Sequence, residues 1–229
     1  MAKCVNVVKY GSVSVRVSDD PAGDVARSLA VRLRGAIRRR GSASLAVSGG
    51  STASSMLAAL VHEDLDWDCL TVWQVDERVA PDGHKDRNAS QLWFMPTATM
   101  LMPVAGDDLG IAAMRYSETL PDRFDAVHLG LGDDGHTASW PPVPHPDATV
   151  VSSANDVAMV GDFNGRGRMT LTPGPVNHAR GRLILTTGKS KADMVRRWLE
   201  RDRSIPVSHV RRSATTLFVD LAAAAKLPG

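Results

Sequence analysis

The sequence predicts an α/β domain in which a largely parallel sheet is covered on both faces by helices. Short strand-like runs alternate along the chain with amphipathic stretches of helical period. At least three of these runs end in polar turns, where open α/β sheets collect their ligand sites. With 229 residues and 43% hydrophobic content, the chain can bury a substantial core as one domain over residues 1–229.

Residues 5 to 17 alternate as Val5-Asn6-Val7 and Val13-Ser14-Val15-Arg16-Val17 around Tyr10-Gly11-Ser12, which predicts two short edge strands joined by a turn. Asp19-Asp20-Pro21 opens a helix whose Val25, Leu29, Leu33 and Ile37 recur every four residues, and Gly41 closes it. Ser44 to Val47 is a buried strand. It runs into Ser48-Gly49-Gly50-Ser51-Thr52 and then a helix containing Met56, Leu57, Leu60 and Val61. Such a turn can aim backbone N–H groups and hydroxyls at a phosphate. It also fits an ordinary strand-to-helix turn with Ser51 or Thr52 as N-cap.

Leu70 to Val75 is a third strand, ending in Asp76-Glu77-Arg78. These charges fit a ligand site or a solvated loop. Residues 81 to 90 form a polar loop near the same face. Pro96 to Asp108 is a connector with a short strand at Met100 to Met102, and Leu109 to Leu120 is helical. Phe124 starts the central strand, which continues as Val127-His-Leu-Gly-Leu-Gly-Asp-Asp-Gly-His-Thr-Ala-Ser139. Gly130 and Gly132 admit a close neighbour, and Gly135 permits a tight turn.

The proline-rich stretch Trp140 to Pro146 is a stiff loop expected to frame the pocket. Strands are expected at Ala148 to Ser153, Val157 to Phe163, Arg168 to Thr172, Arg182 to Thr186 and Ala214 to Val219. Helical segments are expected at Pro175 to Arg180, through Ala192, Val195, Trp198 and Leu199, and at Leu221 to Lys226. Lys189 stands at a strand-to-helix turn, as a surface residue or as a cation for an anionic ligand. The Met and Trp residues fit core packing.

Composition excludes several classes. Only Cys4 and Cys69 are present, too few for a disulfide framework, which fits a reducing cytoplasm. Asn6 and Lys9 interrupt the apolar N-terminal residues, so no signal-peptide core is expected, and no run reaches membrane-spanning length. Net charge is +2. Arginines crowd residues 32–40 and 196–203, but late in predicted helices and without a nucleic-acid motif, so no nucleic-acid partner is expected. No heptad or apolar patch argues for a dimer, and a monomer is expected.

The strand ends supply a base, His136, acids that could orient it, Asp134 and Asp76, and cations, Arg78, Arg168 and Lys189, beside the amide-rich turn. No Gly-x-Ser-x-Gly elbow is present, so water is the expected nucleophile. A metal on Asp133, Asp134 and His136 is the competing use. One tight turn is poor zinc geometry and no His-Glu-x-x-His completes it, so chemistry without metal or cofactor is expected.

Gly130 to Ser139, Ser48 to Thr52, Asp76-Glu-Arg78, Arg168 to Thr172 and Gly188-Lys-Ser-Lys191 occur in an order that resembles the glucosamine-6-phosphate isomerase/6-phosphogluconolactonase family over nearly the whole chain. The resemblance implies a Rossmann-like fold and metal-independent hydrolysis of the δ-lactone of 6-phosphogluconate, in the oxidative pentose phosphate pathway. Asp134-Gly-His-Thr-Ala-Ser139 and Asp76-Glu-Arg78 follow the lactonase pattern rather than the deaminase pattern of Asn-Gly-His-Ile-Ala-Phe-Asn-Glu-Pro and Asp-Glu-Tyr. His136 would take the proton of the attacking water, with Asp134 or Asp76 holding its ring. Asp133 falls at a variable position. Ala53, Arg87-Asn88-Ala89 and Trp140-Pro141 depart from the family pattern, and Arg87 and Ala89 lie in a loop expected to touch substrate. Another sugar-phosphate isomerase or deaminase, or a non-catalytic sugar-phosphate sensor, remain the alternatives.

Overall fold

The computed structural model describes residues 6–106 and 108–228. Val5, expected to begin the first strand, and Cys4 lie outside these residues. Strands β1 (Asn6–Tyr10) and β2 (Val13–Val17) pair antiparallel around Gly11. Helix α1 (Pro21–Arg40) begins where the Asp20 carboxylate accepts the Gly23 N–H at 3.0 Å. It ends at Gly41, whose φ of 79° lets its N–H turn back to Ile37 O.

β3 (Ala43–Val47), α2 (Ser51–Leu60), β4 (Leu70–Gln74), β5 (Asp76–Arg78), β6 (Ala98–Met100) and α3 (Leu109–Glu118) follow. The second half supplies β7 (Ala126–Gly130), β8 (Val157–Val160), β9 (Arg168–Leu171), α4 (Pro173–His178), β10 (Arg182–Thr186), α5 (Ala192–Leu199) and β11 (Thr215–Val219).

Eight strands form one sheet in the order β1-β2-β11-β10-β7-β3-β4-β6, parallel throughout except for the β1–β2 edge pair. From β3 the chain steps outward through β4 to β6. It then returns to β7 and steps the other way through β10 to β11. The sheet therefore has its topological switch point between β3 and β7, and chains leaving these neighbours diverge to open a crevice.

The period-two alternation of the strands divides the core between two faces. Leu45, Val47, Ala126, Leu183 and Leu185 pack under α1 and α2. Ala46, Val127, Leu129 and Ile184 pack with Val195 and Trp198 of α5 and Tyr116 of α3 on the other side. Leu29 and Leu33 of α1 are fully buried, each contributing about 1.5–3 kcal/mol of hydrophobic stabilisation.

Four elements differ from expectation. Asp76 to Arg78 is not the end of the third strand but β5, which joins β9 and β8 in a separate antiparallel sheet. The short strand expected at residues 100–102 lies at Ala98–Met100 instead. Ala148 to Ser153 belongs to a 3₁₀ segment, Pro146–Ser152, started by Pro146 and by His145 Nδ1 accepting the Asp147 N–H at 3.0 Å. Residues 221–226 form turns rather than a helix. So short a run cannot repay helix nucleation, and the Asp220 carboxylate takes the Ala223 N–H at 2.7 Å.

Candidate active site

A cavity of about 590 Å³ opens at the switch point, within the range of small-molecule sites. The turns following β3, β7 and β10 supply one wall; β5, Asn88 and the Phe163–Arg168 connection of the small sheet supply the other. The turn after β7 builds the centre. Gly132 N–H donates to His136 O at 2.8 Å and Gly135 N–H to Gly132 O at 3.2 Å. Gly135 takes φ +86°, with Ile205 packed where a side chain would point.

This turn folds Asp134 back on His136. A single oxygen, Oδ1, accepts the His136 backbone N–H at 3.0 Å and lies 2.5 Å from Nδ1. Burial works against the Asp134 charge, but the hydrogen bond and charge of His136 outweigh it and hold the carboxyl below its usual value. The imidazole also packs edge-on against Phe163, centroids 5.3 Å apart at 87°. Nδ1 is thereby committed, and Nε2 has no protein partner among the described residues. Gly132 makes this possible, since a Cβ there would strike both His136 Nδ1 and Asp134 Oδ1.

Asp76 lines the cavity but does not hold the imidazole. Its Oδ2 accepts the Ser139 hydroxyl at 2.8 Å. Burial pushes its carboxyl above the usual value, opposed by Ser139 and by the nearby Arg168 charge. The reason is topological: the side chain belongs to the second sheet, where β5 pairs with β9.

Ser48, Gly49, Gly50, Ser51 and Thr52 all line the cavity. Neither Ser51 nor Thr52 caps α2. Gly50 occupies the cap position at φ +113°, with no side-chain hydrogen bond to the helix start. The buried Ser48 Oγ has no partner among the described residues. The first turn of α2 thus keeps its donors and its positive end for a ligand. Asn88 closes over this turn, so near Gly49 that a Cβ there would collide with it, and its Nδ2 donates to Asp76 O at 3.0 Å.

Arg78 and Arg168 both reach the cavity. Arg168 is buried, with Nε and Nη2 on Phe163 O at 3.1 and 2.8 Å. Burial lowers its pKa, and the Asp76 charge counteracts this. Arg78 is anchored by Nη1 on Asp86 O at 2.7 Å. Lys189 does not join them: it is exposed and outside the lining, and Lys191 lines the cavity in its place, 3.8 Å from Asp133. Both lysines sit in one 3₁₀ turn, Lys189–Lys191. Its tight winding sends residues two apart in different directions. Asp133 is mostly exposed.

Other expectations for the lining also change. Arg87 and Ala89 are buried beneath the site rather than facing it. Arg87 pairs with the fully buried Glu77 at 3.1 Å, and Ala89 N–H donates to the same carboxylate at 2.8 Å. The Trp140 indole is also buried, on Leu171 O at 2.8 Å, and residues 140–146 are not in the lining.

Sequence reasoning missed Asn88, Phe163, Arg166 and Lys191 as site residues. Arg166 is held by Asp86 through Nε and Nη2 at 3.1 and 2.9 Å. Its nearness to Arg168 in sequence was the available signal. Among the described residues, no group of three or more His, Cys, Asp or Glu could hold a metal.

Fold and site together define a class of α/β protein with an acid–base pair in a cation-lined cavity at the sheet's switch point. Residues 17–219 match the family described as Glucosamine-6-phosphate isomerases/6-phosphogluconolactonase, and the chain belongs to that family. It is 35% identical over 178 residues to a 6-phosphogluconolactonase of Synechocystis sp., covering 70% of this chain and 72% of the relative. The solved structure of a 6-phosphogluconolactonase from Shewanella baltica superposes with a TM-score of 0.83 at 22% identity, covering 94% of this chain and all of that one. A monomeric glucosamine-6-phosphate deaminase has a TM-score of 0.81 at 19% identity, with the same coverage. The shared fold therefore does not separate the two activities.

Proposed function

We propose that the protein hydrolyses 6-phospho-D-glucono-1,5-lactone to 6-phosphogluconate, the lactone step of the oxidative pentose phosphate pathway, without metal or cofactor. The observation that carries this reading is the Asp134–His136 pair inside a cavity rich in cations and free amides. His136 Nε2 accepts a proton from water as the water oxygen attacks the lactone carbonyl. Asp134 keeps the remaining proton on Nδ1 and stabilises the imidazolium. The ring C–O bond then breaks, and the imidazolium returns its proton to the departing ring oxygen. The turn Ser48–Thr52, with Arg78, Arg168 and Lys191, binds the phosphate and neutralises the developing oxyanion.

The lactonase reading is favoured over a deaminase by Arg78 at the end of β5 and Thr137-Ala138-Ser139 after the histidine. Ser139 is committed to Asp76 and Thr137 Oγ1 to Gly130 O at 2.8 Å. The working unit is a single catalytic domain, monomeric and cytoplasmic. The low cysteine count supports that compartment. Among the described residues, no helix is long and apolar enough to cross a membrane.

The test is a lactone hydrolysis assay corrected for spontaneous opening, run with and without a chelator. Enzymatic turnover unaffected by chelator is expected, and His136→Ala should lower kcat by about 10²–10⁴-fold. Turnover of an amino-sugar phosphate with no effect on lactone lifetime would instead identify a deaminase. Ligand-induced stabilisation without lactone turnover would identify a sensor.

A further inference from the structure

A second cleft, of about 410 Å³, lies on the α1 face of the sheet and shares no lining residue with the first. Its floor is formed by β2, β10 and β11, where Arg16 sits opposite Phe218 in register. The Arg16 guanidinium lies over the Phe218 ring, 5.5 Å from its centroid. The wall is α1, from Asp24 to Arg32.

The charges in this cleft are not balanced. Arg16, Arg27 and Arg32 line it with a single carboxylate, Asp24, and Arg27 also has Asp20 3.8 Å away. That carboxylate is already spent: Oδ2 accepts the Ser18 hydroxyl and Oδ1 pairs with Arg27 Nη2, both at 2.5 Å. Among the described residues Arg16 is left with one long contact, Nη1 to Ser28 Oγ at 3.4 Å, and its buried Nε has no partner. Arg32 makes no hydrogen bond or ion pair among the described residues. It runs past Gly181, where a Cβ would come within 2.6 Å of its Nη1. The glycine makes room for the guanidinium.

Burial, and next the Arg16 charge, lower the Arg32 pKa. Yet a guanidinium stays protonated in a protein and cannot escape by neutralising itself. Two such groups, partly desolvated and facing each other with the one carboxylate of the cleft engaged elsewhere, are destabilising unless an anion joins them.

We propose that the cleft between α1 and the β2–β11–β10 strands is a second ligand site, which binds a phosphoryl group between Arg16 and Arg32. A phosphate monoester brings close to two negative charges and three acceptor oxygens, which two guanidinium forks can satisfy together. Ser28 and Thr216 add hydroxyls at the same cleft.

The experiment titrates the full chain with inorganic phosphate while following backbone amide shifts by NMR. Two separate groups of shifts are expected, one at residues 48–52 and one around residues 28–32, 183 and 216–218. Arg32→Gln should raise the phosphate concentration needed to half-shift the second group by about tenfold or more, without changing the titration of the first. The spectrum also reports whether the variant is folded. Without phosphate, this variant should melt no lower than the wild type, because it removes an unpaired charge. Glucose 6-phosphate should move the same amides, and whichever ligand half-saturates at the lower concentration identifies the source of the phosphoryl group. Shifts confined to residues 48–52, or a second group that titrates identically in Arg32→Gln, would overturn the site.

Discussion

Asp134, in the turn after β7, and Asp76, the first residue of β5, both stand at the same cavity, Asp76 in its lining and Asp134 against the His136 ring that lines it, but their surroundings act on them in opposite directions. Asp134 accepts the ring and the backbone N–H of His136, and these contacts outweigh burial and keep its carboxyl below the usual range. Among the described residues the Asp76 carboxylate accepts only the Ser139 hydroxyl, and burial prevails, pushing the carboxyl up. Carboxylates whose environments separate their proton affinities have separate tasks. Here Asp134 is built to keep its charge beside an imidazole. Asp76 ties the start of β5 to the β7 turn through Ser139, next to Arg168.

Gly132→Ala attacks the Asp134 side of this comparison most directly, short of removing His136 itself. The added Cβ would occupy the space of His136 Nδ1 and Asp134 Oδ1, driving the pair apart while leaving both side chains present. Misplacing a catalytic group by about 1 Å can cost roughly 100-fold. A loss of that size in kcat, with an unchanged melting transition, is expected. Full activity in this variant would show that the pair is not the catalytic element.

Asp134→Asn keeps the shape and removes the charge. A hydrogen bond to a charged group contributes about 1.5–3 kcal/mol, so kcat should fall by about 10- to 100-fold. The stability effect has a definite sign. The folded pKa of Asp134 lies below its unfolded value, so its stabilisation is complete above the ordinary carboxylate pKa, about 3.9, and is lost as pH falls through the folded value. The variant should therefore melt below the wild type at neutral pH and converge with it in acid. Equal melting curves at pH 7 would refute that sign.

The parallel order of strands, the edge hairpin, the α1 caps and the acid–base turn were legible in the sequence because each rests on local chemistry. Asp20-Pro21 and Gly41 mark helix ends wherever they occur, and Asp134 is bonded to a residue two positions away. What could not be read depends on distant parts of the chain. Whether Asp76 or Asp134 meets the imidazole depends on the pairing of β5 with β9, 94 residues apart at Asp76↔Thr170. Arg87 lies in a polar loop yet is buried, because Glu77 waits beneath it. Lys189 and Lys191 differ only in the phase of a 3₁₀ turn, which no composition fixes. The unneutralised arginines of the second cleft are Arg16 of β2 and Arg32 of α1, the latter in a cluster that sequence alone assigns to a solvated helix end.

Asp76→Asn is the mildest of these changes and the most discriminating. Asparagine can still accept the Ser139 hydroxyl, so the tie between β5 and the β7 turn survives. The folded pKa of Asp76 lies above its unfolded value, so its ionised form costs stability at neutral pH, and that cost disappears as pH falls below the unfolded value. The variant should melt at or above the wild type at pH 7, the reverse of Asp134→Asn, with the difference again closing in acid. Because Asp76 does not touch the imidazole, kcat should fall by less than about tenfold, under ~1.4 kcal/mol in the barrier. Thermal melts between pH 4 and pH 8, paired with lactone hydrolysis rates, would test both halves. A loss as large as that of His136→Ala would place Asp76 on the reacting atoms. A melting point below the wild type at pH 7 would mean that the charge is stabilising there and that its surroundings resemble those of Asp134.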